Sequence, residues 1–444
     1  MSAAAFVTWA RDRAIPLAKE TGYRDLDAFG AMIEDATVVA LSEALHGAAE
    51  PLEFRNTALE YLVREKGFTA IAIESGVVEG RRLHDFVRGA PGSLDAALQD
   101  GLSWTFELLP QNRALVQWLR EYNADPRHTR KVNFYGFDVP GSPGESQATR
   151  GVDTALSEVL RYLDSVDPVA TRTSRARLGT LLQNLRFNIN APPHLATYDK
   201  LSLAERDQLT AVINDAITLL EHREAVYSRL TSPEDHEWAY RAALGARQVD
   251  AWLRQIPLGW QPARQPLTFP SEQTDFIFVA NDVRDRAQAD NLQWILEREG
   301  EKGKVVVFAH RYHVSAAPVR PRWTGSRPQT PMGSHLRRRL GRRLVTVGNL
   351  IGQGSVSCDG WVQELKPAAA GTMDGIVGEL GGEGFLLDLR PAPTAVASWL
   401  ESERELAEIP LGEQHDTVSL SVGQAFDILL FTDTATPACP PRQA

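Results

Sequence analysis

The stretch TVVALSEALHG, residues 37–47, is an apolar run that ends in a glutamate and a histidine. Similar apolar runs recur along the chain, separated by segments with helical periodicity such as 49–66 and 287–299. They are FTAIAIE (68–74), KVNFYGFDV (131–139), DFIFVAND (275–282), GKVVVFAH (303–310), RLVTVGNL (343–350), GFLLDLR (384–390) and FDILLFTD (426–433). Continuous apolar runs alternating with helices are typical of strands that are covered on both faces. We therefore predict an α/β fold with a largely parallel central sheet flanked by helices.

The middle of the chain has a different pattern, because long helical periods dominate between residues 152 and 255 and no run there resembles a strand. Pro- and Gly-bearing segments bracket this region, as expected where a chain turns or crosses a cleft. We predict a helical insertion that forms a cap over a deep cleft. The predicted boundaries are 1–150 for the first half of the α/β core, 151–265 for the insertion or cap, 266–435 for the second half, and 436–444 for a disordered tail.

Composition limits the classes of function. The chain has 444 residues, of which 43% are hydrophobic, a net charge of −10 and two cysteines. It lacks an apolar run long enough for a membrane span, and two cysteines make neither a disulfide framework nor a metal pair. The acidic balance opposes binding to nucleic acid, and we interpret the basic run at 335–344 as a solvated helix face. We predict a cytoplasmic protein, a monomer or weak dimer, whose partner is a small molecule rather than a nucleic acid or a membrane.

Ionisable residues follow four of the predicted strands. In a parallel sheet the carboxyl ends of the strands meet at one edge, where ligands bind. One histidine after a strand is more often a hydrogen-bonded structural group, but the recurrence at four strand ends favours a shared site. The residues are Glu43 and His46, Glu74, Asp138, and His310 with His313.

These residue types suit the activation of water. A neutral imidazole can accept a proton near neutral pH, and a neighbouring carboxylate holds its tautomer. Negative charge that develops on a carbonyl oxygen then needs a cation or a hydrogen-bond donor, which His310, His313 or Arg55 could supply. Arg55 could equally be a surface charge on its helix. The chain contains no G-x-S-x-G elbow, which argues against a serine nucleophile.

A metal site is the minority alternative, since histidine and glutamate also bind zinc. The H-x-x-H spacing at 310–313 differs from the helical H-E-x-x-H motif, and we predict no cofactor. Gly-rich phosphate loops are missing from the sequence as well. Trp104 and Phe106 could line an apolar pocket, and we assign them to substrate binding together with Asp138 and Arg311.

Several segments together resemble the erythromycin esterase family. They are LSEALHGAAEPLEFRNTALEYLVREKGFTAIAIE, WLREYN, VNFYGFDV, RDRAQADNLQWIL, VVVFAHRYHVS and PMGSHLRRRLG, in this order between about residues 38 and 341. The resemblance implies an α/β core with a helical part and hydrolysis of a macrolactone ester by histidine-activated water, generally without a metal. It implies His46 as general base, with Glu43, Arg55 and Glu74 as its partners and His310 with His313 as the later histidine pair.

The first hypothesis is an esterase or lactonase that acts on a bulky, largely apolar natural product, with a macrolide and antibiotic resistance as the family's context. The alternative is a biosynthetic enzyme that uses the same acid–base groups for cyclisation, isomerisation or dehydration of a polyketide-like substrate. Its motivation is Arg311, where the family usually has Asn, and Leu45, which directly precedes the first histidine. A binding protein without catalysis is the third hypothesis.

Overall fold

The computed structural model describes residues 2–17, 26–141, 149–188, 197–258, 276–322, 327–358, 360–407 and 417–439. The strands are β1 (Ile15–Pro16), β2 (Val38–Glu43), β3 (Ala70–Gly76), β4 (Asn133–Asp138), β5 (Thr149–Gly151), β6 (Arg186–Asn188), β7 (Val305–His310), β8 (Val319–Pro321), β9 (Leu344–Val356), β10 (Gln363–Leu365), β11 (Gly384–Asp388), β12 (Glu403–Ala407), β13 (Thr417–Ser421) and β14 (Ile428–Ala435).

The helices of the first half are α1 (Ala3–Arg11), α2 (Asp27–Met32), α3 (Ala49–Lys66), α4 (Gly80–Val87), α5 (Leu94–Gly101) and α6 (Pro110–Ala124). The middle of the chain contains α7 (Asp153–Val166), α8 (Pro168–Leu178), α9 (Leu203–Leu230) and α10 (Pro233–Leu253). The remaining helices are α11 (Phe276–Glu299), α12 (Arg311–Val314), α13 (Met332–Leu340), α14 (Met373–Gly378), α15 (Thr394–Glu401) and α16 (Val422–Ala425).

The central sheet has nine strands among the described residues, in the order β1-β11-β14-β9-β2-β7-β3-β4 with β10 paired to β9. The six strands from β14 to β4 run parallel to their neighbours, whereas β1, β10 and β11 pair antiparallel. The predicted α/β class with a largely parallel sheet is confirmed. A small antiparallel sheet, β12-β13-β8, and the pair β5-β6 complete the described strands, and neither was predicted.

Helices cover both faces of the sheet, and strand β2 shows how. Its side chains alternate, so that Val38 and Ala40 join an apolar core shared with α7, α9, α10 and α11. Val39 and Leu41 join a second core, on the other face, shared with α3 and α6. This alternation between two buried faces explains why the strand is an uninterrupted apolar run instead of an apolar–polar alternation.

Two predictions made from the sequence are wrong. The run DFIFVAND was predicted to be a strand, but its residues from Phe276 onward form the first part of helix α11. A short apolar run has no period that separates a buried strand from a buried helix, and here the helix continues through residue 299. The predicted disordered tail begins too early, because Ala438 N donates to Gly47 O and Cys439 is buried. Residues 440–444 lie outside the described part of the chain.

The described helices include none that combines the length and apolar character needed to cross a lipid bilayer.

Candidate active site

The strand ends that carry ionisable residues do meet. Strand β7 lies between β2 and β3, and Glu43 is the register partner of His310. Strand β4 follows β3, with Gly76 opposite Asp138. Because these four strands are parallel neighbours, their carboxyl ends bring residues more than 200 positions apart, such as Glu74 and His310, to one edge of the sheet.

His46 lies in the turn that follows β2, and Gly47 shapes that turn. Gly47 has a φ of 87°, which side chains other than glycine rarely adopt. Its position is also crowded, because the backbone of Ser357 approaches closely and Ser357 N donates to Gly47 O at 2.9 Å. The turn therefore has little freedom to move, which fixes the direction in which His46 leaves the strand.

Glu43 and His46 form a direct pair, with Glu43 Oε1 2.7 Å from His46 Nδ1. The His46 side chain is 24% exposed, whereas that of Glu43 is 5% exposed. Burial alone would lower the pKa of His46, but Glu43 and Glu74 outweigh that effect and raise it. Glu43 thus holds the His46 imidazole by one nitrogen and favours its protonated form, while part of the ring reaches solvent.

Glu74 is the centre of a buried network. Its Oε2 accepts a hydrogen bond from His310 N at 2.8 Å, and its Oε1 accepts one from Arg284 Nη2 at 2.7 Å. His313 Nε2 lies 3.3 Å from the same Oε1. Burial alone would raise the pKa of Glu74, but His313 and Arg284 hold it well below the ordinary value. Glu74 is therefore a carboxylate that ties β3, β7, α11 and α12 together.

Arg284 of α11 also binds a second carboxylate, that of Asp138. Its Nε lies 2.9 Å from Asp138 Oδ1 and its Nη2 lies 2.6 Å from Asp138 Oδ2. Burial opposes the charge of Arg284, but Asp138 and Glu74 raise its pKa above the ordinary range. The arginine is thus a permanent cation that joins the ends of β3 and β4.

His313 is held by the residue next to Arg284. Asp285 Oδ1 lies 2.8 Å from His313 Nδ1 and also accepts a hydrogen bond from Met332 N. Burial alone would lower the pKa of His313, but Asp285 and Glu74 raise it to about 9. At neutral pH His313 is therefore an imidazolium whose Nδ1–H donates to Asp285. Its Nε2 lies between Glu74 Oε1, at 3.3 Å, and Arg284 Nη1, at 3.1 Å.

His310 differs from the other two histidines. Its Nε2 donates to Ala44 O at 2.8 Å and its Nδ1 accepts from Tyr312 N at 3.3 Å, which defines a neutral tautomer. Burial and the nearby His46 hold its pKa well below the ordinary value. The ring centroids of His310 and His46 lie 5.3 Å apart. His310 therefore anchors the backbone at the start of the His46 turn.

Two aromatic residues predicted to contact the substrate lie at the catalytic cluster, the name used below for Glu43, His46, Glu74, Asp138, Arg284, Asp285, His310 and His313. The Phe106 ring centroid lies 5.6 Å from that of His46, and the Arg284 guanidinium lies 6.0 Å from the Trp104 ring. Trp104 and the following Thr105 both have a φ of 65°, which is unusual for residues with side chains. This strained turn places an apolar wall beside the partly exposed His46.

Arg55 is at the sheet edge but is enclosed. It is 1% exposed, its Nη1 donates to Asn112 Oδ1 at 2.9 Å, and its guanidinium stacks on Phe308. Burial lowers its pKa to about 10 although Glu43 opposes the shift. The structure brings Arg55 close to Glu43 rather than into the space beside His46. Arg55 is therefore not a surface charge, and its part in stabilising developing charge stays a prediction.

Two residues assigned to substrate binding, Arg311 and Asp138, are bound by other side chains of the protein. Arg311 is 1% exposed and pairs with Asp374 Oδ1 at 3.1 Å, so the structure does not bring it into the cluster. Both Asp138 oxygens accept hydrogen bonds from Arg284, and the carboxylate is fully buried. The structure thus gives these two side chains protein partners.

Ser42 and Leu45, on either side of Glu43, also have structural partners. Ser42 Oγ donates to Val347 O and accepts from Asn349 N, which extends the contact between β2 and β9 beyond their last register pair. Leu45 packs in a small apolar cluster with Ile351 and Val356. Both side chains pack away from the ionisable groups of the cluster.

The sequence interpretation missed Arg284 and Asp285 as members of the site. Both fall in RDRAQADNLQWIL, one of the segments that carry the family resemblance, so a signal was present. The wrong strand prediction for the preceding residues concealed the helix that presents them. Glu79, a buried carboxyl beside the same edge, gave no signal in the sequence.

In the described ranges, no group of three or more histidine, cysteine, aspartate or glutamate residues is arranged to hold a metal ion. The carboxylates of the cluster are instead paired with Arg284 and with the histidines.

The chain is similar in sequence and fold to several known proteins. The family model "Erythromycin esterase" matches residues 63–435. An erythromycin esterase type II from Escherichia coli is 24% identical over 77% of this chain and 76% of its own length. An erythromycin esterase type I from Escherichia coli is 22% identical over 93% of this chain and 97% of its own length. The structure of a mutant of erythromycin esterase EreC, in its open conformation, is 17% identical, covers 96% of this chain and 98% of its own, and superimposes with a TM-score of 0.66.

Proposed function

The chain belongs to the erythromycin esterase family, and from this premise we propose that it hydrolyses an ester or macrolactone of a bulky, largely apolar natural product with His46 as general base. The observation that carries the proposal is the Glu43–His46 pair. Glu43 binds Nδ1 of His46, the most exposed histidine of the cluster. Nε2 of His46 is therefore left to take a proton from water. Relatives named as erythromycin esterases make a macrolide the first substrate to test.

Glu43 fixes the tautomer of His46 and stabilises the imidazolium that forms when the water is deprotonated. Glu74 adds a second negative charge that favours the same imidazolium. His310 donates to Ala44 O and so supports the turn, although the sequence interpretation gave it a part in stabilising developing charge.

The positive charge in this proposal comes from His313 and Arg284. His313 is buried and Arg284 is largely enclosed beside Glu74. Charges in a site shielded from water act more strongly on a developing oxyanion than they would in solution. His313 remains protonated at neutral pH and carries an N–H on Nε2. It can therefore donate to the carbonyl oxygen or to the departing alkoxide if Glu74 yields part of that hydrogen bond.

The test measures products by mass spectrometry after incubation in oxygen-18 water with erythromycin, other macrolactones and bulky linear esters. We expect products that gain one water and carry the label in the carboxylate. His46→Gln should abolish them, whereas His222→Gln, which changes an exposed histidine on α9, should not. A parallel incubation with a chelator should give the same products if no metal takes part.

Products of unchanged mass, or loss of water, would support the cyclisation, isomerisation or dehydration alternative and overturn hydrolysis. Full activity of His46→Gln would overturn the assignment of the general base. Activity that disappears with the chelator and returns with added zinc would replace the metal-free mechanism.

A further inference from the structure

Glu79 is a buried carboxyl at the sheet edge that the mechanism does not use. It lies directly before α4 and is 2% exposed. Its Oε1 accepts a hydrogen bond from Gly141 N at 2.7 Å and lies 3.5 Å from Ser103 Oγ. Its Oε2 is buried and, among the described residues, has no hydrogen-bond partner. In that same part of the chain no cation pairs with it, in contrast to Glu74 and Asp138, which share Arg284.

The charges around Glu79 disfavour its ionised form. Burial raises its pKa to about 8, with Asp138 of β4 adding to the shift, although its own N–H and that of Gly141 act in the opposite direction. The other groups that contact it, Gly76 of β3, Ser103 and Gly141, carry no charge. An acid with one oxygen bonded to an N–H and the other enclosed is therefore stable as the neutral form at pH 7.

Glu79 contacts three segments that surround the cluster. Its carboxyl packs so closely on Gly76 that a side chain there would collide with it. It bonds to Gly141, just after β4, and it lies beside Ser103, whose Oγ accepts a hydrogen bond from Gly76 N at 2.8 Å. One side chain thus connects the end of β3, the end of β4 and the loop between α5 and α6.

That loop contains the strained turn at Trp104 and Thr105. Backbone in this region persists only where the surroundings hold it, and such strain concentrates at functional sites. The turn sets Trp104 against Arg284 and Phe106 against His46. The hydrogen bonds of Ser103 to Ser75 and Gly76 secure the turn at its start, beside Glu79.

We propose that Glu79 is a positioning residue, which as a neutral carboxylic acid holds the turn Ser103–Phe106 against the catalytic cluster. Ionisation would place a negative charge without a paired cation beside the carboxylate of Asp138 and loosen the turn. The aromatic wall at His46 would then be lost, and the enzyme would lose activity on the alkaline side. This inference rests on the proposed function only for its effect on catalysis.

The catalytic test compares pH profiles of kcat/KM for Glu79→Gln, Glu79→Ala and a surface control, Glu121→Gln on α6. Glutamine keeps the acceptor for Gly141 N and cannot ionise. We expect Glu79→Gln to match the wild type within about threefold at pH 7 and to move the alkaline limb from about 8 toward the pKa of His313, about 9. In Glu79→Ala, kcat/KM should fall roughly tenfold or more at every pH, mainly because KM is higher. Glu121→Gln should follow the wild type.

A second test needs no substrate. A group whose pKa is raised on folding contributes stability below its unfolded pKa and loses that contribution as the pH rises through the folded value. The wild type should therefore lose stability between pH 5 and about 8 relative to Glu79→Gln, with parallel curves above that range. The infrared difference spectrum at pH 7 should show a carboxylic-acid C=O band that Glu79→Gln lacks.

Parallel stability curves from pH 5 to 8, or no acid band, would overturn the neutral Glu79 whatever the substrate. An unshifted alkaline limb in Glu79→Gln would overturn its positioning role. A wild type that shows the acid band and the stability difference but hydrolyses no ester counts against the proposed function instead.

Discussion

Arg284 and Asp138 form a bidentate ion pair across 146 residues of sequence, with Nε and Nη2 of the arginine 2.9 Å and 2.6 Å from the two carboxylate oxygens. Because Arg284 also binds Glu74, one largely enclosed guanidinium bridges the carboxylates at the ends of two strands. Removal of one partner from a buried charge pair is strongly destabilising, since the remaining charges have no water.

We predict that Arg284→Gln lowers the free energy of unfolding by roughly 3–5 kcal/mol and abolishes activity. Urea denaturation monitored by circular dichroism measures the first effect. The matched control is Arg286→Gln on the same helix, an exposed residue paired with Asp290, which should change stability by less than about 0.5 kcal/mol. Equal losses of unfolding free energy in the two variants would show that the ion pairs of Arg284 stabilise the fold no more than an exposed ion pair does.

Glu43 should control the acidic limb of the pH profile. His46 must be neutral to accept a proton, so the rate rises with pH through its pKa, and Glu43 raises that pKa. Glu43→Gln should therefore move the acidic limb of kcat/KM to lower pH, while the maximal rate falls by on the order of 10²-fold or more because the tautomer is no longer fixed. Glu65→Gln, an exposed change on α3, should leave the limb in place. A limb that moves to higher pH would contradict the pairing.

His313 should make stability depend on pH through Asp285. The folded state holds a proton on His313 up to a pKa of about 9, whereas an unfolded histidine releases it near 6.5. This contribution, about 3 kcal/mol, is complete below pH 6.5 and is lost as the pH rises through 9. Asp285→Asn should therefore be less stable than the wild type at pH 6, with the difference shrinking toward pH 9.5.

Urea unfolding at pH 6, 7, 8 and 9.5 checks this window. Asp215→Asn, which removes an exposed carboxylate on α9, should run parallel to the wild type. If Asp285→Asn is less stable than the wild type by the same amount at every pH, the His313–Asp285 pair does not titrate in this range.

Arg311 should matter for folding and not for substrate. It pairs with Asp374, and both side chains are 1% exposed. We predict that Arg311→Met lowers the free energy of unfolding by roughly 3 kcal/mol and leaves KM within about twofold of the wild type at low temperature. Arg320→Met, which removes a half-exposed partner of Glu403, is the control for stability. A tenfold rise in KM would restore Arg311 as a substrate-binding residue.

The apolar runs were sufficient to predict the parallel part of the sheet. Each buried strand is recognisable from its own residues, and the helix at 49–66 was predicted with the bounds that α3 has. The error at DFIFVAND has the same origin, since a short apolar run fits the period of a buried helix as well as that of a buried strand. The small sheet β12-β13-β8 depends on pairings between distant segments that no local pattern indicates.

The site was predictable in part for a related reason. The rule that strand ends share an edge predicted that Glu43, Glu74, Asp138 and His310 lie together. It could not predict which of them would be saturated by protein partners, because that depends on Arg284 from a helix. It likewise gave no sign that Arg311, adjacent to His310 in sequence, would turn toward Asp374.

The position of β7 between β2 and β3 has a consequence for the order in which the protein can fold. During synthesis, β2 and β3 leave the ribosome long before the strand that separates them, and the helices α7 to α10 are made in the interval. The centre of the sheet therefore closes late, through contacts of large sequence separation, which are slow to form. Until Val305–His310 arrives, β2 has no neighbouring strand and β3 can pair only with β4. The nascent chain therefore has open edges on apolar strands, the kind of surface that chaperones protect.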